Sequence, residues 1–99
     1  MTERPPRPVT YGVDIDHAMA TLGHREMLAL AGMFERWALT EEKFDGDQRT
    51  RLIEMSADME AVAAWVGPQW RATDPAKPES LLAFIARKEL EALGDEGGG

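Results

Sequence analysis

HREMLALAGMFERWAL, residues 24 to 39, is the stretch on which the fold turns. Its charge is confined to Arg25, Glu26, Glu35 and Arg36. At 3.6 residues per turn, Leu30, Met33, Phe34 and Trp37 form one stripe, while Leu28 and Leu39 fall nearly opposite. A helix that is apolar on more than one side is normally covered from more than one direction, so this segment is expected to be the central helix of a small bundle.

Working outward toward the N-terminus, Asp14 is an expected N-cap, and Ile15, Ala18, Met19 and Leu22 follow at helical spacing. Gly23 then interrupts. One reading is a single helix over 14–39, kinked at Gly23; the other is a short helix that ends there. Continuous register brings Leu30, Met33 and Trp37 onto the Ile15–Met19–Leu22 face, which favours one helix. It also sets Glu26 in the middle of that face, where a lone carboxylate is costly. Residues 1–13, with Pro5, Pro6 and Pro8 interleaved with Arg4 and Arg7, read as an extended arm with a formal PxxP, loosely attached to the body.

Working outward toward the C-terminus, Thr40–Gly46 is an acidic connection anchored by Phe44. Asp45 followed by Gln48 has capping-box spacing, which starts the next helix near Gly46 or Asp47. Gln48, Leu52, Met55, Met59, Val62, Ala63 and Val66 form the cleanest amphipathic face in the chain, with Arg51, Glu54, Asp58 and Ala61 opposite. Gly67-Pro68 stops this helix. After a loop containing Trp70 and Pro75, Pro78 and Glu79 suit a helix start. Leu81, Leu82, Ile85, Ala86, Ala92 and Leu93 then share a face with Glu89 embedded in it, while Phe84 and Leu90 point elsewhere. Gly94 is the expected end, with a flexible acidic and glycine tail over 95–99. No stretch alternates with period two. The expectation is all-α: a small antiparallel three-helix bundle over 14–94, its first helix open to a break at Gly23.

Composition narrows the function more by exclusion than by indication. The 99 residues carry a net charge of −7, which lacks the basic footprint of an autonomous nucleic-acid binder. There is no cysteine, so disulfides, thiol catalysis and zinc–thiolate sites are excluded. The arginines of MTERPPRPVTYG have no apolar segment after them, unlike a secretory leader. The longest uncharged run, Ala61 to Trp70, is too short for a membrane span, which needs roughly 18 apolar residues. A cytoplasmic location is the default.

Chemistry-bearing patterns are sparse. GxSxG, phosphate-binding and dinucleotide-binding glycine loops, HEXXH and Glu-x-x-His are all absent. His17 and His24, with Asp14, fall short of a zinc helix in spacing and ligand number. Glu54 and Asp58 sit at i and i+4, a spacing open to acid–base work but commoner on a solvated face, with Arg51 nearby. Glu26 and Glu89 each interrupt an apolar stripe. Such an acid is paired with a cation, points into a cleft, or sits on the rim of an interface, and the rim reading is preferred. The methionines at helical spacing read as core.

Tryptophan is enriched where proteins bind one another. Trp65 lies off the main face, beside a weaker stripe of Ile53, Ala57 and Ala64, and Trp70 lies in a loop. Ile53, Ala57, Trp65, Trp70, Leu90, Glu26 and Glu89 are therefore the candidate protein-interaction residues. The leading expectation is a non-enzymatic helical adaptor, assembly factor or accessory subunit with an apolar, acid-rimmed surface. It would bind another protein, basic in character, or a second copy of itself. It requires no cofactor, no metal, no nucleic acid and no membrane. The alternatives are an acidic inhibitor that competes for a basic site on a partner, and a small helical enzyme or ligand binder using Glu26, or Glu54 with Asp58.

Overall fold

The structure, a computed structural model, describes residues 6–74 and 80–97, the last three of these as backbone alone. All regular structure in it is helical: α1 (Ile15–Thr21), α2 (His24–Thr40), α3 (Gly46–Val66) and α4 (Leu81–Gly97). The expected helices are present, and the first is broken. Pro5, Pro75, Pro78, Glu79 and the last two glycines lie outside the described residues.

The break is sharp, which corrects the preference for one continuous helix. Leu22 (φ −123°, ψ 141°) and Gly23 (φ −90°, ψ 176°) are both extended. Each new helix end leaves backbone groups without intrahelical partners. The chain beyond α3 supplies them. Thr73 and Asp74 donate their N–H groups to the carbonyls of Met19 and Ala20, at 3.2 and 2.8 Å, which closes the end of α1. The His24 N–H donates to the Trp70 carbonyl at 3.3 Å. Glu26, the costly acid of the continuous-helix reading, accepts from the Gly23 N–H at 2.8 Å, as a residue in the first helical turn can.

α2 is the central helix and packs on both α3 and α4. Between α2 and α3, three bonds from side chains to carbonyls form a ladder. His24 Nδ1 lies 3.1 Å from the Ala63 carbonyl, Ser56 Oγ donates to Ala31 at 2.7 Å, and Arg49 donates to Ala38 at 2.6 Å. A carbonyl can only accept, so the His24 proton sits on Nδ1. Each rung moves seven residues along α2 and seven back along α3. The pair is therefore antiparallel, with a heptad seam. His24, Met27, Ala31, Phe34 and Ala38 line one side of it; Arg49, Leu52, Ser56, Met59, Ala63 and Val66 line the other. Alanine and serine at the rungs let the two backbones come close enough for the short donors to reach across.

The remaining links follow from local chemistry. Asp45 and Gln48 make the expected capping box, at 2.8 and 3.0 Å. Gly67 ends α3 at φ 88°, a left-handed conformation that favours glycine. Phe44 anchors the 41–45 connection near Trp37, with ring centroids 6.5 Å apart. Ser80 Oγ accepts from the Ala83 N–H at 3.1 Å at the start of α4. α4 runs through Gly94 to Gly97, so the expected stop at Gly94 does not occur. The core gathers Ile15, Ala18 and Leu22 of the α1 segment, Leu30 and Met33 of α2, Met59 and Val62 of α3, and Ala83 and Ala86 of α4.

Candidate interaction surface

Asp58 departs furthest from its sequence reading. Expected on the solvated side of α3, it is only 2% exposed. Its carboxylate accepts the N–H of Tyr11 (3.1 Å to each oxygen), of Gly12 (2.9 Å) and of Val13 (3.0 Å). A buried carboxylate is tolerable only with such partners, and hydrogen bonds to a charged acceptor are the strong ones. The end of the expected loose arm is thus clasped onto α3, and Val13 is buried. Arg7, further up the arm, pairs with Asp16 at 2.6 Å. Glu54 and Asp58 consequently do not form a solvent-facing pair. Glu54 lines a cleft of about 440 Å³ with Tyr11, Gly12, Arg51 and Met55.

The two acids expected on an interface rim are instead held by cations. Glu89 is hydrogen-bonded by Arg36 at 2.8 and 3.3 Å, which ties α4 to α2. Glu26, besides capping α2, lies 3.8 Å from Arg87. Trp65 and Trp70 are half-buried against the core, and the Trp70 indole N–H is buried with no hydrogen-bond partner among the described residues. Leu90 is half-buried on α4. A cleft of about 600 Å³ opens between the start of α2 and residues 68–72, bringing Arg25, Arg71 and His24 together. Glu26 faces the same cleft, and the amides of Gly23 and His24 are already bonded to Glu26 and Trp70. Among the described residues no three His, Asp or Glu side chains group to hold a metal. His17 and His24 lie on separate helices, and His24 is committed to Ala63.

Ile53 and Ala57 stand apart from the other candidates, because they share an open face. The heptad ladder defines two flanks of the α2–α3 pair. On one flank Leu30, Met33, Asp58 and Val62 are buried, and Trp37, Met55 and Trp65 are half-buried. On the other, Arg25, Leu28, Gly32, Glu35 and Leu39 of α2 and Thr50, Ile53, Ala57, Glu60 and Ala64 of α3 are all exposed. Leu28 is 46%, Ile53 50% and Leu39 70% exposed. The expectation that the Leu28–Leu39 side of α2 is covered within the fold therefore fails.

The seam register sets Gly32 beside Ala57 at the centre of this face, with Leu28 and Ile53 on one diagonal and Glu35 and Glu60 on the other. A Cβ built on Gly32 meets nothing within 4 Å, so internal packing does not require a glycine there. No family model, curated protein or solved structure matches the chain. No helix among the described residues is long and apolar enough to cross a membrane.

Proposed function

We propose that this protein is a non-enzymatic helical interaction module that binds another protein through the open flank of the α2–α3 pair. The observation that carries this reading is the asymmetry of the two flanks. One is sealed by the clasped arm and the core; the other leaves Leu28, Leu39 and Ile53 in water around a glycine–alanine centre. Isolated exposed apolar residues are ordinary, but several on one face of a two-helix pair are what a partner helix or strand buries.

An adaptor or accessory subunit fits this surface better than a catalyst. Asp58, Glu26 and Glu89 are each hydrogen-bonded in holding helices or the arm. The test is a double variant, Leu28→Asp with Ile53→Asp, used as bait beside the wild-type chain in extract of the native host. Both changes fall on exposed positions, so the melting temperature should stay within about 3 °C. The expected result is that a protein retained by the wild type is lost from the variant. Equal retention by both would remove this face from the function.

A further inference from the structure

The open flank also constrains the chemistry of what it binds; the inference below rests on the proposed face and adds the identity of its occupant. With helix axes 8–10 Å apart and a rise of 1.5 Å per residue, the line from Leu28 between Gly32 and Ala57 to Ile53 is roughly 13 Å long, which is about nine residues of one helix. Gly32 and Ala57 leave a low saddle in the middle of the line, and Leu28 and Ile53 stand at its ends. Glu35 and Glu60 flank it on opposite sides, and among the described residues neither forms an ion pair. We infer that the occupant is one amphipathic helix of a partner protein, laid obliquely across Gly32 and Ala57, with an apolar ridge bordered on both sides by lysine or arginine.

Two observations select this occupant over a second copy of the chain. Turned onto itself about a two-fold axis along either diagonal, the face sets carboxylate against carboxylate, and other axes set Glu35 and Glu60 beside Leu28, Ile53 or Arg25. Two chains of net charge −7 also repel as they approach. A helix with cations on both flanks meets neither obstacle. The glycine gains a reason as well: in an exposed helix interior it costs about 1 kcal/mol relative to alanine, and a close-packed visiting backbone is what that cost permits.

The experiment titrates the full chain with two synthetic helical peptides of about 18 residues that share a leucine ridge. Lysines flank the ridge in one and glutamates in the other. Fluorescence anisotropy at low and moderate salt reads the affinity. The lysine-flanked peptide should bind at least tenfold more tightly than the other. A charge-reversed chain, Glu35→Lys with Glu60→Lys, should reverse the order, and Gly32→Leu should weaken both. Binding of the two peptides with equal affinity, or an unchanged order in the charge-reversed chain, overturns the assigned occupant. Loss of binding in Leu28→Asp/Ile53→Asp, despite that outcome, would keep the face and reject only the basic helix. Concentration-dependent dimerisation abolished by the same double variant would make a second copy the occupant and overturn the inference. Binding of neither peptide also overturns it.

Discussion

At the scale of single residues, Asp58 does what its position in the sequence conceals. Nothing local separates it from Glu54 four residues earlier, because its partners are backbone amides more than forty residues away. Side-chain patterning carries no record of a backbone donor, so the clasp could not be read from the chain. Its energetics are nevertheless testable. Asp58→Ala strips three buried or half-buried N–H groups of their acceptor, and a buried donor left without a partner costs roughly 1–3 kcal/mol, less where water reaches it. A loss of about 3 kcal/mol in urea unfolding is expected. Asp58→Asn keeps an oxygen for the amides of Gly12 and Val13 and should cost roughly half as much. Equal, near-zero losses in both variants would show that the arm is not clasped. Trp65 is half-buried against the core, so Trp65→Ala should lower stability by about 2–3 kcal/mol instead of acting on association alone.

At the scale of elements, the legible features were those carried by large apolar side chains and by caps. The Met59–Val62 face, the Asp45–Gln48 box and the Gly67 stop all stand where residue type and spacing place them. What the hydropathy pattern hid was the seam between α2 and α3. Four of the six residues in its rungs, Ala31, Ala38, Ser56 and Ala63, are small: they add little to any apolar stripe yet permit close approach. The visible stripe of Leu30, Met33 and Trp37 lies on the neighbouring flank. The break at Gly23 had a readable cue in Glu26: an acid awkward within one long helix is natural in the first turn of a new one. Two predictions belong here. Ser56→Ala removes only the hydroxyl and leaves the Ala31 carbonyl without its rung, and should cost about 1–2 kcal/mol by thermal unfolding. Gly32→Ala places its Cβ in open space, and should raise stability by about 0.5–1 kcal/mol, or several degrees in Tm. A fall in Tm would mean that Gly32 serves the fold after all.

At the scale of the whole molecule, a central helix needs three covered sides to disappear into a core, and α2 has only two. α3 and α4 supply those two, with the Arg36–Glu89 and Glu26–Arg87 pairs fixing α4 in place. The third side, joined to the exposed side of α3, is the surface on which the proposed function rests. On α4, Leu81, Phe84 and Leu93 are exposed as well, with Lys88 over the Phe84 ring. The most direct measurement is a map of backbone amide chemical shifts in the 99-residue chain as the lysine-flanked peptide is added. Perturbations are expected to centre on Gly32 and Ala57 and to reach Leu28 and Ile53, with Asp58, Tyr11 and the Trp70 cleft unmoved. Perturbations centred on the cleft between His24 and Arg71, or on the clasped arm, would contradict the proposed face.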